Sequence, residues 1–154
     1  MRHSHRFALA HANEENDTCE LTRDGVGMTE TFDGTILDAQ YDLPDSRSVL
    51  CLGYASLYDA SFNIYLIGAN AAIEDSVEGG GFFLSGSFVE KSLGSDTLHF
   101  KFFENGVDYQ LSVSPQSRFR FSLPRPWRYK HRLRVHQLLL TELTANEADR
   151  KSVV

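Results

Sequence analysis

The sequence contains little of what marks a specialised class of protein. Two cysteines among 154 residues, Cys19 and Cys51, are too few for a disulfide framework. The apolar run SVLCLGYASLY predicts that Cys51 is a small buried side chain. No apolar run approaches the roughly 18 residues of a membrane-spanning helix, and RFALAHANEEN lacks the apolar length and the cleavage site of a secretory signal. These absences predict a cytoplasmic protein without a membrane span.

Motifs for catalysis and cofactor binding are also missing. There is no nucleophile elbow, no phosphate-binding loop and no dinucleotide fingerprint, and the glycine-rich EGGGFF precedes a strand rather than a helix. His3 and His5 would project to the same side of an extended segment, but no cysteine or carboxylate nearby completes a metal site. We therefore expect no metal and no cofactor. A non-enzymatic role is favoured, with a small enzyme that has its site in a barrel mouth as an alternative.

Length and composition fit one ordinary globular domain. The chain is 42% apolar and 23% charged, which is close to average usage, and it is long enough to bury a substantial core. We interpret residues 1–154 as a single β domain and expect residues 1–5 and 148–154 to be flexible.

Alternation of apolar and polar residues with a period of two is the main structural signal. In DTLHFKFFENGVDYQLSVS it predicts a hairpin with a type I′ turn at Asn105-Gly106 and with His99 on the outer surface. Pro115 is predicted to end the second strand, and SRFRFSL to begin another. Two further segments, SVLCLGYASLY and FNIYLIGANAAI, are apolar on both faces and are predicted to be central strands covered on both sides.

The spacing of turn residues predicts an all-β fold. Short strands separated by turns at intervals of roughly 8–12 residues are typical of a single antiparallel β-barrel or a two-sheet sandwich, here with about ten strands. Near the C-terminus, HQLLLTELTANEADRK fits two structures. The spacing of Leu139, Leu140 and Leu143 suits a short helix, and the same residues could extend the preceding strand.

Charge is distributed unevenly along the chain. The formal net charge is −6, yet residues 118–134 hold seven of the fifteen Lys and Arg residues and no acidic residue. The rest of the chain carries eight basic and twenty-one acidic residues, a net charge of −13. An acidic body repels nucleic acid, so nucleic acid is disfavoured as a partner. The seven cations of this basic segment are Arg118, Arg120, Arg125, Arg128, Lys130, Arg132 and Arg134.

Alternation within the basic segment predicts one extended strand over residues 127–135. Its aromatic side chains, Trp127 and Tyr129 among them, would point to one face and the cations between them to the other. Aromatics and cations on opposite faces favour aromatic burial and argue against a platform on which bases stack. Pairing with the preceding strand would widen the cationic face.

A cationic strand face predicts a binding or interaction module. Arginine forks suit the oxygens of phosphate and carboxylate groups, so we expect the seven cations to engage an anionic small molecule or an acidic protein surface. The alternative is internal pairing with the chain's own acids, among them Glu78 and Asp108, across neighbouring strands. The oligomeric state is left open.

Two short segments near the N-terminus resemble the PilZ family, β-barrels that bind the bacterial second messenger cyclic di-GMP. Residues 2–6, RHSHR, match the RxxxR pattern of that family, and residues 20–28, ELTRDGVGM, stand where it has Asp/Asn-x-Ser-x-x-Gly. The resemblance implies a ligand site made of Arg2, Arg6, Glu20, Thr22 and Gly25. Glu20 and Thr22 depart conservatively from the family pattern. This is the alternative function that the sequence supports.

Overall fold

The computed structural model of the protein describes residues 1–54, 60–81, 84–120, 122–131, 134–144 and 146–147. Strands account for 66% of the chain and helix for 1%, which confirms the all-β prediction. Thirteen strands form in the described residues, against about ten predicted. They are β1 (Arg2–His3), β2 (Phe7–Asn13), β3 (Thr18–Arg23), β4 (Val26–Asp33), β5 (Ile36–Asp42), β6 (Ser48–Gly53), β7 (Ser61–Ile67), β8 (Ile73–Gly80), β9 (Gly86–Leu93), β10 (Thr97–Phe103), β11 (Asp108–Phe119), β12 (Trp127–Tyr129) and β13 (Val135–Leu143).

The strands form three antiparallel sheets. A six-stranded sheet has the order β1-β5-β6-β7-β8-β12, a four-stranded sheet the order β13-β11-β10-β9, and a three-stranded sheet the order β2-β3-β4. No sheet in the described part of the chain closes into a barrel, so the sandwich is the correct one of the two predicted architectures. Among the described residues, no helix has the length and apolar character that crossing a membrane requires.

The six-stranded sheet is covered on both faces, as predicted for its central strands. One core cluster joins it to the four-stranded sheet, with Phe62 and Phe100 among its members. A second cluster joins its other face to the three-stranded sheet through residues such as Leu50 and Leu21. Every residue of β6 is buried. Apolar side chains at consecutive positions are needed when both faces of a strand are dry, which is why β6 and β7 lack alternation.

The hairpin of β10 and β11 lies in the four-stranded sheet. Phe100 and Tyr109 are cross-strand partners and both are fully buried. Gly106 has a φ of 72°, whereas Asn105 does not take the positive φ that a type I′ turn requires. The Asn105 side-chain oxygen instead accepts a hydrogen bond from the backbone N–H of Val107 at 3.0 Å. The hairpin is present, and the predicted turn type is wrong.

One predicted strand boundary is also wrong, and of the two structures considered for the C-terminal stretch the strand is the one that forms. Pro115 does not end a strand, because β11 continues through it to Phe119, with a shift in register against β13 between Val113 and Arg118. An irregular ladder tolerates a residue without a backbone N–H. Near the C-terminus, residues 135–143 form β13 rather than a helix. Buried Leu138 and Leu140 alternate with more exposed neighbours, as a strand with one dry face demands.

The predicted strand over residues 127–135 is divided between two sheets. β12 covers Trp127–Tyr129 and pairs with β8 in the six-stranded sheet, whereas Val135 opens β13 in the four-stranded sheet. Alternation holds through Tyr129 and then changes phase, so that Val135 is 47% exposed and His136 is buried. The expected pairing of this segment with the strand that carries Arg118 is therefore wrong for β12, since β11 pairs with β13.

The structure describes the first residues of the chain but not residues 148–154. Arg2 and His3, which we expected to be flexible, form β1 and pair with Asp42 and Tyr41 of β5. Residues 148–154 lie outside the described residues.

Candidate functional site

Five of the seven cations of the basic segment fall into two groups. Arg128 and Lys130 belong to β12 or follow it, and both contact acidic residues of the same chain. Arg118, Arg120 and Arg134 lie where β11 and β13 meet. Because the segment crosses from one sheet to the other, its cations do not share one face.

Arg128 is held by an acidic residue on the neighbouring strand. Its Cα partner on β8 is Glu78, and the Arg128 Nε donates to Glu78 Oε1 at 2.8 Å. The Arg128 side chain is 63% exposed and that of Glu78 is 29% exposed. A solvent-exposed pair of this kind contributes about 0–1 kcal/mol to stability, and it provides the internal pairing considered as the alternative for this cation.

Lys130 is more deeply engaged. Its ammonium group donates to Asp33 at the end of β4 and to the Tyr65 hydroxyl at 2.7 Å. It also lies 4.6 Å from the centroid of the Tyr65 ring. Its side chain is 12% exposed, and the contact joins the chain after β12 to the three-stranded sheet. We conclude that Lys130 has a structural role.

Gly79 explains why β12 docks where it does. Trp127 lies opposite Gly79 of β8, and a Cβ atom added at Gly79 would stand 2.7 Å from the indole ring. The ring therefore covers bare backbone at this point and packs edge-on against Phe62 and Phe100. This packing fixes β12 as the last strand of the six-stranded sheet and turns Arg128 to the opposite face.

The second group forms what we call the cationic surface, defined as Arg118, Phe119, Arg120, Arg134 and Val135. Arg118 and Arg134 are exposed. Among the described residues, neither of them forms an ion pair. Arg120 is partly buried, and its Nε has no hydrogen-bond partner. These guanidinium groups are available to carboxylate or phosphate oxygens.

Apolar side chains are exposed between these arginines. Phe119 is 65% exposed and its cross-strand partner Val135 is 47% exposed. Single exposed hydrophobics are ordinary, but an aromatic residue beside unpaired arginines has the composition of energetically important positions in protein interfaces. The cationic surface thus combines an apolar centre with charged flanks.

A buried polar cluster supports the cationic surface from below. The Asp75 carboxylate of β8 accepts hydrogen bonds from the backbone N–H groups of Gln137 and Leu138 at 2.8 and 2.9 Å, and His136 Nδ1 lies 2.8 Å from its other oxygen. The ring of His136 stacks on Tyr129 with centroids 3.6 Å apart. Asp75 therefore ties β8 to the start of β13. The sequence does not predict this role of Asp75, because nothing in the pattern places β8 beside β13.

Tyr129 belongs to this buried polar cluster, and the charges within the cluster affect its pKa. Its hydroxyl donates to the Leu138 carbonyl at 2.7 Å. Burial, together with the charge of Asp75, raises the pKa of Tyr129 to about 12, and the positive charge of Arg120 opposes the rise. Arg120 is therefore close enough to Tyr129 to act on its ionisation.

The two remaining cations of the segment belong to neither group. Arg125 is exposed and precedes Pro126 through a cis peptide bond. It lines a shallow cleft with Leu123 and Trp127. Arg132 lies outside the described residues.

The residues implied by the PilZ resemblance are brought together only in part. Arg2 and Arg6 line one open cleft of about 620 Å³. The Arg6 fork binds the Asp24 carboxylate, with Nη2 2.6 Å from Oδ2, and this hydrogen bond holds the pKa of Asp24 below its ordinary value. Gly25 follows in the turn between β3 and β4 with a φ of 81°. Glu20 and Thr22 project from β3 and do not line that cleft.

Two histidines considered in the sequence are engaged by carboxylates. His3 Nε2 lies 2.8 Å from Glu90, and the described residues contain no group of three or more metal-ligating side chains placed to hold a metal ion. His99 was predicted to be on the surface and is instead only 3% exposed, with its Nε2 2.6 Å from Asp108. Burial alone would raise the pKa of Asp108, but hydrogen bonds from His99 and Lys101 outweigh burial and hold it below its ordinary value.

Comparisons with known proteins return no match, whether against family models, curated proteins or solved structures. The resemblance to the PilZ family accordingly remains a prediction. The candidate site is defined by its own geometry, and that geometry favours the cationic surface over the remainder of the basic segment.

Proposed function

We propose that the protein is a non-enzymatic interaction module whose cationic surface binds an acidic segment of a partner protein. The observation that carries the proposal is the contrast within one basic segment. Arg128 and Lys130 are neutralised by acids of the same chain, whereas Arg118 and Arg134 are exposed beside the exposed Phe119 and form no ion pair with any described residue.

Shape favours a macromolecular partner over a small anion. The cleft that adjoins the cationic surface, with Arg134 and Val135 in its wall, has a volume of about 210 Å³, and Glu30 and Glu74 also line it. Pockets for small molecules are usually larger, about 300–1,000 Å³, and the two carboxylates repel an anionic ligand. An extended acidic segment would lie over the surface without entering the cleft.

Charge complementarity favours protein over nucleic acid. The chain outside the basic segment has a net charge of −13 and repels a polyanion that extends beyond the cationic surface. A short acidic protein segment would meet only the arginines. Leucine or phenylalanine side chains within that segment would cover Phe119 and Val135, as apolar centres of interfaces are covered.

The proposal is tested with a fluorescein-labelled peptide of glutamate residues interrupted by two leucines, measured by fluorescence anisotropy. Arg118→Gln and Arg134→Gln together should weaken binding at least about tenfold, since hydrogen bonds between charged groups are the strong ones. Arg128→Gln is the matched control, because it removes an exposed arginine of the same segment that already has Glu78 as its partner. It should change affinity less than about twofold.

Two comparisons distinguish this function from others. Heparin, a polyanion without apolar side chains, should bind more weakly than the peptide. Equal loss of peptide binding in Arg128→Gln and in the double variant would refute the special role of the cationic surface. Salt-dependent self-association in sedimentation, abolished by the double variant, would overturn the proposal in favour of a second copy of this chain.

The second candidate function is a receptor for a cyclic dinucleotide of the PilZ type. The observation in its favour is that Arg2 and Arg6 line the same open cleft. Calorimetric titration with cyclic di-GMP should show binding that is lost in Arg2→Ala and in Arg6→Ala. Absence of heat with the wild-type protein dismisses this function and leaves the first one untouched, since no residue is shared between the two sites.

A further inference from the structure

A polar cleft of about 510 Å³ lies between the three-stranded sheet and the six-stranded sheet, away from the cationic surface. Asp33 and Asp17 line it from the side of the three-stranded sheet. Asn63, Glu78 and Arg128 line it from the face of the six-stranded sheet. Its volume falls in the range of small-ligand pockets, and polar groups converge on it from two sheets.

The floor of this polar cleft is a row of three polar side chains. Asn63 and Glu78 are cross-strand partners on β7 and β8, and Glu78 and Arg128 are partners on β8 and β12. Direct partners share one face of a sheet, and neighbouring strands are about 4.8 Å apart. Glu78 Oε1 accepts a hydrogen bond from Arg128 Nε, and among the described residues no hydrogen bond engages Glu78 Oε2 or the two terminal nitrogens of Arg128. The row therefore offers acceptors and donors side by side.

Asn63 is the independent observation that points to a ligand. It is 2% exposed, and within the part of the chain that the structure describes its Nδ2 amide group has no hydrogen-bond partner. Buried polar groups in proteins are nearly always hydrogen-bonded, and a specific exception calls for an explanation. An apolar residue at position 63 would avoid the free-energy cost of a buried polar group without a hydrogen bond. Leu52, the cross-strand partner of Asn63 on β6, is such an apolar residue and is buried. A ligand oxygen that reaches the amide would remove the cost.

The charges in the cleft exclude a strongly anionic ligand. Glu78 is paired with Arg128 and Asp33 with Lys130, and Asp17 adds a further negative charge. Hydroxyl groups both donate and accept hydrogen bonds, so they match a floor of alternating acceptors and donors better than a carboxylate or a phosphate does. Tyr54 and Gly80 also line the cleft.

We propose that this cleft binds a neutral carbohydrate through Asn63, Glu78 and Arg128. The Asn63 amide donates to one ring hydroxyl, Glu78 Oε2 accepts from the next, and the Arg128 terminal nitrogens donate to a third. The inference does not rest on the cationic surface, because Arg118 and Arg134 do not line the cleft. Loss of peptide binding and loss of carbohydrate binding are therefore separate results.

The test is a titration of isotope-labelled protein with cellobiose, maltose and N,N′-diacetylchitobiose, followed by NMR. At least one of the three should shift the Asn63 side-chain amide signal in a saturable manner. Asn63→Leu should weaken that binding at least about tenfold, since a site built to hydrogen-bond a hydroxyl discriminates by its polar groups. The same variant should keep or raise the melting temperature, because the unpartnered amide is removed.

The matched control is Gln116→Leu, which replaces an exposed amide on β11 and should leave carbohydrate binding unchanged. No saturable shift with any of the three disaccharides overturns the proposal. So does binding that survives Asn63→Leu unchanged, which would place the sugar elsewhere on the protein. A large fall in the melting temperature of Asn63→Leu also counts against it, since that outcome assigns the amide a structural role.

Discussion

The strand β12 and the cationic surface come from the same basic segment, and tertiary structure gives them opposite roles. In β12, Trp127 and Tyr129 are buried and Arg128 is paired with Glu78. At the cationic surface, Phe119 and Val135 are exposed beside arginines that form no ion pair in the described part of the chain. Both regions contain arginine and aromatic residues. What differs is whether the adjacent strand carries an acidic residue and whether a second sheet covers the aromatic side.

The residues on the adjacent strand therefore determine which arginines of the basic segment belong to the fold. The strand beside β12 is β8, which carries Glu78 opposite Arg128. The strand beside Arg118 of β11 is β13, whose second residue, His136, lies opposite Arg118. An arginine opposite glutamate is part of the fold, whereas an arginine opposite histidine is left for a partner.

The largest expected effect is loss of aromatic packing under β12. Trp127→Ala should lower the free energy of unfolding by about 3–5 kcal/mol, because the cavity left under a buried aromatic residue is large. Phe119→Ala, at the cationic surface, should change it by at most about 1 kcal/mol. Urea denaturation followed by fluorescence measures the Phe119 variant, and circular dichroism measures the tryptophan variant. Equal losses in the two variants would contradict the division of the segment.

Replacing one cation after β12 and one at the cationic surface should also affect stability unequally, by smaller amounts than the aromatic substitutions. Lys130→Met should cost about 1–3 kcal/mol, because the Tyr65 hydroxyl and the Asp33 carboxylate lose a partner that is largely shielded from water. Arg134→Met should change stability by less than about 0.5 kcal/mol, since Arg134 is exposed and has no ion-pair partner in the described ranges of the chain. Thermal unfolding of the two variants at the same pH checks this, and a costly Arg134→Met would assign Arg134 to the fold.

The free energy of unfolding should depend on pH through Tyr129, which lies on the buried side of β12. The pKa of Tyr129 is about 12 in the folded protein and about 10 in the unfolded chain. A raised folded pKa contributes stability that is complete below pH 10 and is lost as pH rises toward 12. Tyr129→Phe is expected to be less stable than the wild type at pH 7 by about 1 kcal/mol, through the lost hydrogen bond to Leu138.

The difference in the free energy of unfolding between the wild type and Tyr129→Phe should then narrow between pH 10 and pH 12. The Phe variant has no phenol at this position, so it lacks the component of stability that the wild type loses there. Burial also raises the pKa values of Tyr41 and Tyr65, and their effect cancels because both proteins contain them. Urea denaturation across this pH range provides the measurement. A constant gap would mean that Tyr129 ionises as it does in the unfolded chain.

The smallest effect should come from the exposed arginines. Arg128→Gln removes a surface ion pair and should cost about 0–1 kcal/mol. Arg118→Gln removes no ion pair that the described residues form and should be neutral for stability, with its effect confined to binding. A cost for Arg118→Gln above that of Arg128→Gln would show that the cationic surface has an internal partner after all.

Strand content and core positions were accessible from sequence because they depend on local patterns. Continuous apolar runs predicted that β6 and β7 lie between two covering layers, and both core clusters agree. Strand boundaries were less accessible. In the sequence, apolar and cationic residues continue to alternate past Tyr129. In the structure the chain bends after Tyr129, and by Val135 the buried positions have shifted by one residue relative to that pattern. A one-residue shift reverses every side chain, and no local residue preference reveals it.

The cleft on the six-stranded sheet was not accessible from sequence at all. Asn63 is a polar residue in the apolar run FNIYLIGANAAI, and the sequence indicates no hydrogen-bond partner for its side-chain amide. Its relation to Glu78 and Arg128 depends on strand order, with β8 between β7 and β12. A signal did exist, since an asparagine in an otherwise fully buried strand requires partners. The sequence alone does not say which strands supply them.

The sequence by itself determined that this chain folds into antiparallel strands with buried aromatics and carries one acid-free basic segment. These properties follow from composition and from a period of two, which are local and survive any arrangement of the strands. Tertiary structure alone decided which arginines meet an acid of the same chain and which remain for a partner. That outcome depends on residues far apart in sequence, such as Glu78 with Arg128 and Asp33 with Lys130, because only sheet order and register bring opposite charges within reach.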